Sequence, residues 1–336
     1  MSTSKDVAKL AGVSVSAVSR AFRDDTYISK EKKERIMEAA EKLGYTPNLL
    51  ARGLKSHRSK LIGILHSDID NPFFSTMTRI IEQELRSRGY RLIITYSNED
   101  AHLEADSLGV LSGNRVDGII FTPISEKNKR LVQQLYKRNI FMMQMYRTMH
   151  DNLDSVVVDD AEGAYLATKH LLAHGHTQIL LFDVINPYGP NRMHGYQKAY
   201  QEAGIAVSEE FVISIPYGRD TTAPIIAESY ERLAPTAVIA GTNTIGQEMY
   251  MYAKNRGVRI PDDLSLIVFD DVHWTSMLDI TAIQQPMEYL SLSACRAIID
   301  RIEGNMESNV AINLTIRPVL IERKSVKEIG GGIIDL

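Results

Sequence analysis

The residues of this chain able to do chemistry fall into a few sets, and each has a reading other than catalysis. His170, His174 and His176 lie close together beside Gly175. That spacing places imidazoles at the end of a helix, where the negative end of its dipole favours them, and no metal site is expected there. The adjacent acids Asp159-Asp160 and Asp270-Asp271 each end a strand-like run. Neighbouring residues of a strand point to opposite sides, so neither pair is placed for acid–base work, and one member of each is expected to cap the next helix. Cys295 is the only cysteine, which allows no internal disulfide and no cysteine-based metal site. It reads as packing within a helix. No G-x-G-x-x-G follows the first strand, and there is no G-x-x-x-x-G-K-[ST] loop and no G-x-S-x-G elbow. The reading is of a protein that is not an enzyme, with no catalytic residues and no cofactor.

The chain has 336 residues, 44% hydrophobic and 24% charged, ordinary values for two or three globular domains. It contains no run of about 18 apolar residues that would cross a membrane. Its first residues turn straight into a polar helical pattern without an apolar secretory core, so a soluble, cytoplasmic protein is expected. The net charge of −4 conceals an asymmetry: residues 1–60 hold thirteen Lys and Arg against seven Asp and Glu, +6, and the remainder carries −10. A basic module on an acidic body points to a polyanionic partner for the first segment, although charge by itself equally fits a solubilising head.

Residues 4–44 read as three short helices. Ser4, Ser14 and Ser29 are the expected caps, and Gly12 and Gly44 the stops. Val7, Ala8, Leu10 and Ala11, then Val18, Ala21 and Phe22, then Ile36, Met37, Ala40 and Leu43 fall at helical spacing, leaving Ser16, Ser19 and Arg20 on another face of the second helix. Two helices joined by a tight turn and braced by a third make a helix-turn-helix. Residues 48–55 form a helical pattern of about two turns, too short to persist alone in water, followed by a basic connector to Lys60. From Leu61 onward, short uncharged strand-like runs alternate with amphipathic helical stretches, the pattern of a parallel sheet covered on both faces. Some 270 residues exceed one such sheet, so two doubly wound parallel-sheet subdomains are expected side by side. Ligands bind in the crevice at the carboxyl ends of such strands.

Several motifs carry a resemblance. Lys5-Asp6-Val7-Ala8-Lys9-Leu10-Ala11-Gly12-Val13-Ser14 with Val18-Ser19-Arg20 resembles the headpiece of the lactose-repressor/galactose-repressor (LacI/GalR) family of bacterial transcription regulators. Gly44-Tyr45-x-Pro47-Asn48 and Ala51-Arg52-Gly53-Leu54 resemble its hinge. Asn71-Pro72-Phe73-Phe74, Val116-Asp117-Gly118-Ile119-Ile120, His174-Gly175-His176, Arg192-x-x-Gly195-Tyr196 and Ile260-Pro261-Asp262-Asp263-Leu264 resemble its regulatory core, which is periplasmic-binding-protein-like. The likeness runs from about Ser4 to about Arg323.

The resemblance implies a homodimer on a palindromic operator. Ser14 caps the recognition helix, and Val15, Ser16, Ser19 and Arg20 face base edges or phosphates in the major groove. Ala17 stands where Thr is more usual, implying one phosphate contact fewer. Asn48, Ala51 and Leu54 belong to the hinge, with Leu54 wedging into a minor-groove step. The effector site is expected from Phe73, Phe74, Tyr146, Arg192, Tyr217, Thr242, Asn243, Asp270 and Gln285. Tyr146-Arg147 and Thr242-Asn243 replace acid-containing pairs, which implies a more aromatic and neutral cleft.

The domains expected are a headpiece at 1–47, a hinge and linker at 48–60, and a core at 61–330. Within the core, one subdomain covers about 61–155 plus 286–316 and the other about 156–285 plus 317–330, with crossings near 155, 285 and 316. The expected function is a repressor of carbohydrate-metabolism genes controlled by a sugar or sugar derivative. A corepressor- or partner-protein-dependent catabolite regulator stays open, as does an inducer as against a corepressor. A sugar-binding receptor without DNA function would show a signal peptide and no basic head. The last residues carry no leucine heptad of the kind that makes tetramers.

Overall fold

The computed structural model describes residues 2–22, 27–46, 58–184, 192–216, 219–306 and 310–330. The chain divides into two compact units, Met1–Ser59 and Lys60–Leu336.

In the first unit, α1 (Ser4–Ala11), α2 (Val15–Ala21) and α3 (Lys30–Lys42) enclose a small core. Val7, Ala8, Ala11, Ala17, Val18, Ala21, Ile36, Ala39 and Ala40 are buried in it. The cap of α1 is Thr3 rather than Ser4: Thr3 Oγ1 accepts from the Asp6 amide, and Asp6 Oδ2 accepts from the Thr3 amide at 2.8 Å, a reciprocal capping box. Gly12 then ends the helix at φ 63°, a left-handed conformation that a residue without Cβ adopts freely. Ser14 caps α2 by accepting from the Ala17 amide, whereas Ser29 stands at the cap of α3 without a side-chain bond. Two inward assignments change. Met37 is 44% exposed and Leu10 53%, because Ile36, Ala39 and Ala40 already fill the narrow space beside α1. Arg35 Nη2 donates to Ala11 O at 2.6 Å, tying α3 to the end of α1.

The second unit contains two six-stranded sheets. The first uses β1 (Leu61–His66), β2 (Arg91–Tyr96), β3 (Gly118–Phe121), β4 (Phe141–Met145), β5 (Asp154–Val158) and β11 (Asn313–Ile316), in the order β11-β5-β4-β3-β1-β2 and parallel throughout. The second uses β6 (Ile179–Val184), β7 (Val212–Ile215), β8 (Ala237–Ala240), β9 (Ser265–Phe269), β10 (Thr281–Gln284) and β12 (Val319–Ile321), in the order β12-β10-β9-β8-β6-β7, with only β12 antiparallel.

Period-two alternation sends side chains to both faces. Ile62 and Ile64 pack with α4 (Pro72–Ser87) and α12 (Met287–Glu303), while Leu65 joins α5 (Ala101–Gly113) and α6 (Lys129–Lys137). In the second sheet, Ile179 and Leu181 face α7 (Asp160–Ala173) and α8 (Arg192–Glu202), and Leu180 and Phe182 face α9 (Arg219–Leu233) and α10 (Asn243–Arg256). A short α11 (His273–Met277) follows β9. Among the described residues, no helix is long and apolar enough to cross a membrane.

The chain crosses between sheets three times. The first crossing comes after Val158 rather than near 155, because Ser155–Val158 pair with Asn313–Ile316 in the first sheet. The others follow β10 and separate β11 from β12. Helices α7 and α8 meet closely at Gly195, where a Cβ would collide with the Ala161 carbonyl oxygen. Gly195→Ala therefore lowers stability by about 3 kcal/mol, the upper range for overpacking, read as a fall in the urea midpoint of the full chain; an unchanged midpoint would show that the two helices do not approach so closely.

Candidate functional site

In the first unit, Ser14, Val15, Ser16, Ser19 and Arg20 are all exposed on α2, with Val15 at 43%. Ser14 Oγ lies 2.9 Å from Ser16 Oγ. Ala17 points the other way, 8% exposed, so its replacement of Thr is a packing choice at that position. The hinge residues Asn48, Ala51 and Leu54 lie outside the described residues, as does Tyr217.

In the second unit, strand ends from both sheets converge on one cleft. Asn71, Phe73, Phe74, Tyr146, Asp160, Arg192, Thr242, Asp270 and Gln285 line a cavity of about 80 Å³, with Ser67, Arg147 and Val184 completing the wall. That is room for two or three waters. Val184 also lines a neighbouring pocket of about 310 Å³ that includes Asp68, Asp70, Thr244 and Glu248. A larger cavity of about 580 Å³ lies beside Asp154 and Arg301 at the opposite strand ends, where those two residues bind each other bidentately at 2.8–2.9 Å and carry a structural ion pair.

Asp270 organises the cleft. It follows β9 with φ 71°, a left-handed conformation that an Asp tolerates at modest cost. Its Oδ1 accepts from Gln285 Nε2 at 2.6 Å, and its Oδ2 accepts from the backbone and side-chain nitrogens of Asn243 at 3.2 and 2.8 Å. The second hydrogen of Asn243 Nδ2 reaches Asn71 Oδ1 at 2.8 Å. Asn71 caps α4 through the Phe73 amide, so this bond joins the first sheet's half to the second's. Burial raises the Asp270 carboxyl above its ordinary range, against the opposing effects of the Asn243 hydrogen bond and Arg192. Asn243 Oδ1 is buried with no partner among the described residues. Thr242 caps α10 through the Ile245 amide.

Arg192 bridges two carboxylates, and Asp270 lies near enough to act on its charge. Its Nη1 donates to Asp183 Oδ1 at 2.7 Å and its Nη2 to Asp160 Oδ1 at 2.8 Å, and its guanidinium lies 4.5 Å from the centroid of Phe269. Burial opposes its charge, but Asp160 and Asp183 outweigh that and raise its pKa. Asp160 is pushed up to about 6, chiefly by burial, with Arg192 pulling the other way. The acid pairs thus separate by role. Asp159 caps α7 through the Glu162 amide while Asp160 turns into the cleft; Asp271 holds Thr275 and Arg323 while Asp270 turns inward. The sequence expectation of a more neutral cleft is corrected here: besides the expected Asp270, acids arrive from Asp160, read only as one of an acid pair, and from Asp183, which the sequence reading did not single out.

Phe73, Phe74 and Tyr146 form an aromatic wall, with ring centroids 5.1–5.6 Å apart. Tyr146 also carries a positive φ of 67°, and its hydroxyl contacts Met77 Sδ. Behind the wall, His66 stacks 4.9 Å from Phe74. Thr78 donates to Phe74 O, so His66 Nε2 donates to Thr78 Oγ1, and burial depresses the imidazole to about 3. Arg147 is held by Glu99 through two bonds of 2.8 Å. Sequence reasoning missed Asn71 as a cleft residue, although its position before Pro72 marked it as a cap.

Two family models match the chain: "Bacterial regulatory proteins, lacI family" over residues 3–48, and "Periplasmic binding proteins and sugar binding domain of LacI family" over residues 59–324. An HTH-type transcriptional repressor PurR from Pectobacterium carotovorum is 32% identical over 98% of both chains. A LacI family transcriptional regulator from Enterococcus faecium, solved with bound ribose, is 26% identical with a TM-score of 0.71, covering 80% of this chain and all of that one. The lac repressor dimer bound to operator and the anti-inducer ONPF shares the fold at 22% identity, with a TM-score of 0.77 over 97% of this chain and 99% of that one.

Removal of Arg192 leaves buried carboxylates without their cation. Arg192→Met is expected to cost about 3–5 kcal/mol at pH 7.5 and clearly less at pH 5. Asp160 at about 6 holds its proton more tightly than its ordinary value of 3.8 allows. Its contribution to stability is therefore complete below about 4 and lost as pH rises through 6, and loss of Arg192 moves that window upward. Urea unfolding at the two pH values checks this; an equal loss at both would show that the carboxylates do not depend on Arg192.

Proposed function

Since this chain belongs to the LacI family of bacterial regulatory proteins, a family of DNA-binding transcriptional regulators, we propose that it is a repressor whose basic head reads an operator and whose cleft is a clamp for a neutral, polyhydroxylated effector. The observation that carries this reading is the Asn71–Asn243 bond across the cleft. A cavity of about 80 Å³ does not admit a sugar until the two halves part, so effector binding must exchange that bond, and the orientation it fixes, for contacts to the ligand. A difference in effector affinity between two such orientations is what coupling to DNA requires.

The chemistry of the lining selects the ligand class. Asp270, Gln285 and Arg192 offer acceptors and donors to hydroxyl groups, with the buried Asn243 reachable once its bond to Asn71 is exchanged, and Phe73, Phe74 and Tyr146 offer flat faces to the C–H side of a sugar ring. Three carboxylates around one guanidinium repel an anion, which favours a free sugar over a sugar phosphate. The ribose bound by the Enterococcus relative is a ligand of this kind.

For the head, a charge of +6 in residues 1–60 supports phosphate attraction. Val15 and Ser16 are small, suited to a thymine methyl and a single hydroxyl bond, and Arg20 is suited to a guanine edge or a phosphate. The expected assembly is a homodimer on a palindrome in the cytoplasm, with Asn48, Ala51 and Leu54 in the minor groove and residues 48–60 transmitting the change.

Arg20→Ala is expected to weaken operator binding by about 1–3 kcal/mol, or to lower the salt slope by about one if its contact is a phosphate, read by fluorescence anisotropy across a salt series. Unchanged affinity and slope would remove Arg20 from the interface. In a thermal-shift screen, neutral pentoses or hexoses raise Tm by mass action, and Asp270→Asn abolishes the rise; a response confined to sugar phosphates would overturn the ligand class.

A further inference from the structure

Away from the cleft, the carboxyl-terminal end of α7 gathers three side chains with metal-binding atoms. His170 and His174 are one helical turn apart and share a face, with ring centroids 4.3 Å apart. Glu322, the residue after β12, brings a carboxylate to the same place, and one ligand atom from each of the three lies within 4.8 Å of the other two. His174 Nδ1 is 2.7 Å from His170 O. A carbonyl oxygen only accepts, so Nδ1 carries the proton and Nε2 keeps its lone pair, the orientation in which a ligating imidazole is held by its outer partner. His170 Nε2 is buried with no hydrogen-bond partner among the described residues, an unmet cost that a bound cation removes. His176 takes no part, because its two nitrogens are engaged by Thr236 Oγ1 and Lys327 O, each at 3.0 Å.

We propose that His170, His174 and Glu322 form a binding site for a divalent transition metal of the zinc or cobalt class. Two imidazoles and one carboxylate are a donor set for such ions, with water in the fourth position, whereas magnesium and calcium prefer all-oxygen sites. The negative end of the α7 dipole adds to the attraction for a cation. An ion here ties α7, whose first residue Asp160 grips Arg192 in the cleft, to the chain just beyond the third crossing. The sequence set His170 and His174 side by side and pointed to no metal there, because the third ligand, Glu322, lies 148 positions beyond His174.

The test uses the full chain without a polyhistidine tag, stripped with chelator and titrated with Zn²⁺ by calorimetry and with Co²⁺ by visible absorption. One equivalent per chain is expected, with a raised Tm. Loss of an outer-shell partner already weakens metal binding about 10–100-fold, so His174→Ala and Glu322→Gln should each weaken it at least tenfold. Glu322 is exposed, so Glu322→Gln tests the site without disturbing the core, and His273→Ala, on exposed α11, should bind as the parent does. Absence of stoichiometric binding, or binding unchanged by Glu322→Gln, overturns the proposal.

Discussion

Two buried carboxylates, Asp160 and Asp270, and the partly buried Asp183 surround the Arg192 guanidinium at the heart of the second unit. Asp160, Asp183 and Asp270 come from the start of α7, the end of β6 and the end of β9, and Arg192 comes from the start of α8. Placing acids in a dry cleft is unfavourable unless each is hydrogen-bonded or paired. The surrounding structure supplies those partners: the Arg192 fork for two of the acids, and the Asn243 and Gln285 amides for the third. Partners of this kind work only when the strand ends that carry them are held in register. The parallel pairing of β6, β8, β9 and β10 and the close approach of α7 to α8 at Gly195 supply that rigidity.

The two sheets are bridged at the cleft by a hydrogen bond between two neutral amides, Asn71 and Asn243. Such a bond contributes modestly on balance, about 1 kcal/mol, which suits a contact that must be exchanged. Three chain crossings also join the two halves. Tyr146 and Asp270 hold positive φ angles at the ends of β4 and β9, one on each sheet. Both line the cavity, so the strained backbone lies where a ligand would sit.

The head follows a different economy. Its core is built largely from alanines, which lets three short helices pack closely and leaves the outer face of α2 open. Ala17 and Val18 turn inward while Val15, Ser16, Ser19 and Arg20 stay outside, so one short helix divides its residues between core and surface.

What the sequence by itself determined was local and periodic. Alternating runs marked nine of the strands, and the spacing of Val7, Val18 and Ile36 marked the three-helix head. The order of motifs carried the family and the cleft residues from Phe73 to Gln285. Short-range propensity and pattern are written residue by residue, so they survive in one dimension. The short Thr281–Gln284, the polar Asn313–Ile316 and the brief Val319–Ile321 carried too little pattern to be seen, since their pairing partners make them strands. Only the tertiary structure decided which acid of each pair turns inward, that Asp183 meets Arg192, that Asn71 reaches Asn243, and that Glu322 meets His170 and His174. Each of these depends on distant segments meeting at one point with a particular orientation, and that orientation is set by sheet register and helix packing rather than by any neighbour in the chain.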